Sequence, residues 1–190
     1  MASMPPRLLS ARKLTLLGAV DAAMLPGLAR ALPGVTHLRY HGATSDGILR
    51  LAEALADWRC VEVLELQGAK YDVAAMEAFG PALRELPRLR ALRIGGNDPE
   101  DSSPTTKLID CLGGLSSLQQ LNLAGVASAI VAQRPWRRRS AGWSSFARWV
   151  LSGCAIAKRG IQDIAVALRG RRITTLVLSG NSITDGAAAR

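Results

Sequence analysis

The chain has 190 residues, 48% of them apolar and 4% aromatic, and a formal net charge of +9. That length suits a single domain, and its core must be built from Leu, Val, Ile and Ala rather than from rings. No run of eighteen apolar residues occurs, which argues against a transmembrane helix. The charge invites a nucleic-acid reading, but its distribution does not form a stripe. Net charge is +3 over residues 1–30, −3 over 31–126, +5 over 127–148 and +4 over 149–190. Three cysteines without a signal peptide fit a reducing compartment, the cytoplasm or else the nucleus. The opening MASMPPRLLSARK is basic and acid-free, as transit peptides are. It is short and runs straight into the first strand pattern, so it is read as an ordinary N-terminal segment.

Seven segments share one apolar pattern, beginning at Ala11, Val35, Val61, Leu89, Leu118, Phe146 and Ile173. Their spacings are 24, 26, 28, 29, 28 and 27 residues. The fourth positions are Leu14, Leu38, Leu64, Leu92, Leu121, Trp149 and Leu176. Every sixth position is again apolar or aromatic, from Leu16 and Tyr40 to Leu151 and Leu178. The last two segments superpose best, with Cys154 over Asn181 and Ile156 over Ile183. This is the pattern L-x-x-L-x-L-x-x-N/C-x-L of a leucine-rich repeat. Cys154, Asn97 and Asn181 take its N/C position, where a buried side chain bonds backbone of the adjacent turn; Ala69 and Val126 leave it unfilled.

Behind the strands, apolar triads recur at helical spacing: Leu25/Leu28/Leu32, Ile48/Leu51/Leu55, Met76/Phe79/Leu83 and Ile161/Ile164/Leu168. Long repeats with a true helix resemble the ribonuclease-inhibitor type of leucine-rich repeat over nearly the whole chain. The resemblance implies an α/β solenoid over residues 1–190, a horseshoe arc of about seven repeats. A parallel sheet would line its concave face and helices its convex face. No unit alone buries its apolar side; stacking makes one core.

Two stretches depart from the period. After Asn97 the polar DPEDSSPTT precedes a shorter helix near Lys107–Leu112, with Ser103 as cap and Pro104 in the first turn. Asp98, Glu100 and Asp101 lack calcium-loop spacing and read as a solvated loop. Within 127–145, the helix triad would be Gln133, Trp136 and Ser140, with no apolar stripe. Pro135 would cost about 3 kcal/mol inside a helix. Three readings stand: a basic loop packing Trp136 or Trp143, a basic element (Arg134, Arg137, Arg138, Arg139) for nuclear import or an acidic partner, or altered translation or splicing. At the ends, Met1–Ser10 reads as a rudimentary cap. The seventh helix breaks off at Arg190 and is expected to be frayed, to be covered by a partner or second copy, or to belong to a longer protein.

Side chains alternate along a strand, so positions three, five and seven should face solvent. Among them, His37, Arg39, His41, Glu65, Gln67, Arg93, Gln120 and Asn122 are the candidate partner-binding residues. The row Arg39–Glu65–Arg93 alternates in sign, and such neighbours contribute about 0.2–1 kcal/mol per pair. Signals for catalysis, metal or cofactor are lacking. His37 and His41, about 13 Å apart along a strand, cannot share an ion, and no cysteine pair has zinc spacing. Neither a phosphate loop nor a G-x-S-x-G turn occurs. Cys111 reads as core beside Leu108 and Leu112.

The leading expectation is a non-catalytic scaffold that binds a protein partner on its concave face, with no membrane or small-molecule substrate. Two alternatives remain. One is a GTPase regulator, since Ran GTPase-activating proteins are built on this repeat type. The other is nucleic-acid or acidic-partner binding through Arg134–Arg139 and the tail Arg169, Arg171 and Arg172, which the missing stripe weakens.

Overall fold

All seven strand patterns become strands in the computed structural model, which describes residues 10–18, 20–95, 104, 107–108, 112, 115–126, 147–169 and 172–183. Each begins at the third position of its repeat. The strands are β1 (Lys13–Leu17), β2 (His37–His41), β3 (Val63–Gln67), β4 (Ala91–Gly95), β5 (Gln120–Asn122), β6 (Arg148–Val150) and β7 (Thr175–Val177). They form one parallel sheet in the order of the chain. The register is in phase, with Leu14 opposite Leu38, Leu38 opposite Leu64, and so on to Trp149 opposite Leu176. Like positions therefore stack, and the architecture is a leucine-rich-repeat arc.

Helices return the chain between strands, among them α1 (Leu25–Ala31), α2 (Ser45–Ala54), α3 (Val73–Arg84) and α4 (Lys158–Leu168). These carry the four apolar triads. Ile48, Leu51 and Leu55 are buried, as are Met76, Phe79 and Leu83, while Leu28, Ile161 and Leu168 are half-buried. One core cluster runs from Leu16 in β1 to Ile164 in α4. In repeat four, Pro104, Lys107, Leu108 and Leu112 are helical. Asn97, the acidic residues 98–101, Ser103 and Cys111 lie outside the described residues, as do 1–9, the basic segment 127–145, Arg171 and 184–190. No helix among the described residues is long and apolar enough to cross a membrane.

Three features were not anticipated by the repeat pattern. A glycine follows the seventh position in each described strand–turn unit, and Gly18, Gly42, Gly68, Gly125, Gly153 and Gly180 all have φ between +60° and +69°. Gly42 donates its N–H to the Gln67 carbonyl at 2.8 Å and Gly68 to that of Gly95 at 3.0 Å, which carries the ladder past the strand ends. An L-residue there would adopt the left-handed conformation at about 1–2 kcal/mol. Second, the buried Trp58 donates its indole N–H to the Leu32 carbonyl at 3.1 Å, tying one repeat to the next. Third, α3 contains Pro81. It stands on the helix's exposed side, where the carbonyl left without its partner meets water.

The predicted inward residues Leu176 and Ile183 depart from expectation, being 38% and 39% exposed. β7 pairs with β6 alone, so among the described residues nothing stacks on its far side.

Candidate functional site

The sheet face away from the helices is open, and the in-phase register sorts its side chains into rows. One row runs Lys13, His37, Val63, Ala91, Gln120, Arg148; the next runs Thr15, Arg39, Glu65, Arg93, Asn122, Val150. A third brings His41 beside Gln67. All eight candidate residues on the strands thus share this face, while Arg134 and Arg137–Arg139 lie outside the described residues.

The centre of the face is a three-residue cluster. Arg39 Nε donates to Glu65 Oε2 at 2.8 Å, and an Arg93 guanidinium N–H donates to Glu65 Oε1 at 2.5 Å. Glu65 was expected to face solvent, yet it is only 5% exposed because the two arginines fold over it. Burial pushes the Glu65 carboxyl up, but the Arg39 hydrogen bond and the charges of Arg93 and Arg39 outweigh it and hold the carboxyl below its ordinary range. Both arginines stay roughly half exposed and keep further N–H donors for a ligand.

Of the hollows on the face around this cluster, two hold most of the candidate side chains. One, of about 190 Å³, lies over β1–β3 and is lined by Lys13, Thr15, His37, Arg39 and Glu65. Its histidine is oriented. The Thr36 hydroxyl donates to the Arg12 carbonyl at 3.1 Å and stands 3.0 Å from His37 Nδ1. With its single proton so used, the hydroxyl has its lone pairs left to accept from the His37 ring. The other hollow, of about 380 Å³, lies over β3–β6 and is lined by Gln67, Arg93, Gln120, Asn122 and Arg148. Asn122 is partly committed, since its Oδ1 accepts from the Ala124 N–H at 2.9 Å.

The structure thus brings Gln67, Arg93, Gln120 and Asn122 together around one hollow and His37 and Arg39 around the other, with Glu65 joining Arg39 to Arg93 between the two. His41 lines neither hollow. Lys13 and Arg148 were missed as candidates, although the signal was present: both occupy the third position of their repeats, as His37 and Gln120 do. No group of three His, Cys, Asp or Glu residues among those described could hold a metal ion.

Cys154 is part of the scaffold. Its buried thiol donates to the Leu123 carbonyl at 3.0 Å, and burial pushes its pKa up, against smaller opposing effects from the Val126 and Gly125 backbone. A neutral thiol is the form that can donate.

No protein-family model and no curated protein matches the sequence. Among solved structures, the chain is similar to one in the crystal structure of the yeast Rad7 and Elc1 complex, with 17% identity and a TM-score of 0.59. The match covers 90% of this chain and 42% of the other. A match to an internalin, InlF of Listeria monocytogenes, has 15% identity, covers 87% of this chain and 66% of that one, and has a TM-score of only 0.28. The chain therefore spans less than half of the Rad7–Elc1 chain and just under two thirds of the internalin. At 17% identity the likeness to the Rad7–Elc1 chain shows the fold alone, which is that of a leucine-rich-repeat arc.

Proposed function

We propose that this protein is a non-catalytic interaction scaffold, of the ribonuclease-inhibitor-like repeat type, that docks a protein partner on the open sheet face. The observation that carries this reading is the asymmetry of the two sides. Helices cover one side of the sheet, whereas on the other the register holds Lys13, His37, Arg39, Gln67, Arg93, Gln120 and Arg148 in rows with no described element over them. Neighbouring strands lie about 4.8 Å apart, so side chains on such a face are spaced like the contacts of an extended interface. Within this fold, crystallisation of a chain together with a second protein, Elc1, gives a precedent for a protein partner. Cys60 and Cys154 are free thiols, which suits the cytoplasm or nucleus.

A photo-crosslinking residue placed at Gln67, on the open face, and at Arg50, on the exposed side of α2, tests this in extracts of the source cells. Discrete protein adducts are expected from Gln67 and not from Arg50. Adducts that form only from Arg50 would overturn the proposal. Charge reversal at Arg39 and Arg93 is a poor probe, because it would crowd two further carboxylates around Glu65.

A further inference from the structure

We infer that the hollow over β3–β6 is a docking site for an acidic peptide segment, one rich in Asp or Glu, of the protein partner. The inference rests on the reading of the open face as the docking surface and deepens it.

Charge is the first argument. Positions three, five and seven of the seven strands carry Lys13, Arg39, Arg93 and Arg148 against the single acid Glu65, so four cations less one anion leave +3 with the histidines neutral. The described acids elsewhere stand on the helix side or in the loops, as Asp46, Glu53, Asp57, Asp72, Glu77 and Glu85 do. Glu65 is not a counter-ion waiting for a ligand, because it is buried beneath Arg39 and Arg93 and both its oxygens are bonded.

The lining is the second argument. The hollow presents two guanidiniums, from Arg93 and Arg148, and three carboxamides, from Gln67, Gln120 and Asn122, with no carboxylate. Arg148 makes no ion pair among the described residues. Guanidiniums bind carboxylates by paired, charge-assisted hydrogen bonds, and carboxamides satisfy the peptide groups between them. From β4 to β6 is about 10 Å across the sheet, which an extended peptide covers in about three residues at 3.3 Å each. Two carboxylates three or four residues apart would reach Arg93 and Arg148 together. Glu65 acts here as a positioning residue, holding Arg93 against the sheet.

The test is a titration of the isotope-labelled protein with a glutamate dodecamer, followed by amide spectra, with a lysine dodecamer and an oligothymidylate of matching charge as comparisons. The glutamate peptide is expected to shift the amides of 91–95, 120–122 and 148–150 and to bind more weakly as salt rises. Arg148→Glu should weaken binding about tenfold, and Gln120→Lys should strengthen it by about threefold or more. The gain from Gln120→Lys cannot arise from misfolding. Shifts confined to other regions, an unchanged affinity in both variants, or tighter binding of the oligothymidylate would each overturn the inference, the last in favour of a nucleic acid. If the peptide fails while Gln67 still crosslinks a protein, only the acidic-segment inference falls. If both fail, the docking-face reading falls with it.

Discussion

The turns that leave β2 and β3 and the turns that leave β6 and β7 solve one problem by different chemistry. After a strand, the chain must reverse toward the helix side, and its backbone groups need partners there. Following β2 and β3, the position that the repeat pattern gives to Asn or Cys holds Ala43 and Ala69, both fully buried. Those turns are secured from the helix end. Thr44 Oγ1 accepts from the Gly47 N–H at 3.2 Å, Asp72 Oδ1 accepts from the Ala75 N–H at 2.8 Å, and the Ser45 hydroxyl accepts from the Asp72 N–H at 3.0 Å. Following β6 and β7, the arrangement is inverted. Asn181 accepts from the N–H groups of Cys154 and Ile156 and donates to the carbonyls of Leu151 and Leu178. Helix α4, in turn, has Ala157 at its cap and no side-chain bond. A turn can thus be held by an amide reaching across from the next repeat or by the cap of the helix it enters, and a motif built on the amide recognises only the first kind.

The largest effect is expected where one side chain serves four backbone groups. Asn181→Ala should cost about 3 kcal/mol, since several polar groups lose their partners at once, and the amides of Cys154 and Ile156 should lose exchange protection. Equal stability of the variant in chemical denaturation would erase the distinction between the two kinds of turn.

Installing the amide where the cap already does its work should fail. Ala69→Asn is expected to destabilise by about 2 kcal/mol, because Ala69 is fully buried and the larger polar side chain must displace packed neighbours. A gain in midpoint denaturant concentration would show that the alanine turns merely lack an amide.

The sheet face between these regions should matter less, because charges that stay half in water contribute little. Glu65→Gln is expected to cost about 1 kcal/mol at neutral pH. The folded-state pKa of Glu65 is depressed, so its contribution is fully present above the ordinary carboxyl pKa, about 4.3, and is lost as pH falls through the lower folded value. Denaturation curves collected from neutral pH downward should show an acid-side loss in the wild type that is smaller in Glu65→Gln.

The smallest effects probe the caps. Thr44→Ala should cost about 1 kcal/mol, and Ala157→Asp, which supplies α4 with the cap it lacks, should add about 0.5–1 kcal/mol. If α4 gains nothing, its start is governed by Asn181 alone.

Period and alternation in the sequence made the scaffold legible. All seven strands form within the predicted segments, each starting two residues after the segment's first, and the four triads fall on α1 to α4. The glycine column was equally visible, one position beyond the strand face, but the apolar pattern gave no reason to look at a residue without a side chain. The site was legible only as a set of faces. That Arg39, Glu65 and Arg93 would be neighbours followed from the register. That Glu65 would be buried beneath the two arginines did not, because it depends on how long side chains fold over a sheet.

Gly47 marks the same boundary in the core. A Cβ there would stand 2.7 Å from Tyr40 Oη, so the glycine accommodates a tyrosine at a position where most repeats have leucine or isoleucine. Nothing in the spacing of either residue announces the contact.

By itself, then, the sequence determined the repeat, the strand register and which side of the sheet each residue joins, because these follow from periods of two, of 3.6 and of about 27 residues along the chain. The tertiary structure decided which side chains touch: the arginines over Glu65, Tyr40 against Gly47, Trp58 on the Leu32 carbonyl. The reason is physical. Position along a periodic chain is a one-dimensional property, whereas contact depends on side-chain length, rotamer and the volume left by neighbours, which exist only once the repeats have stacked.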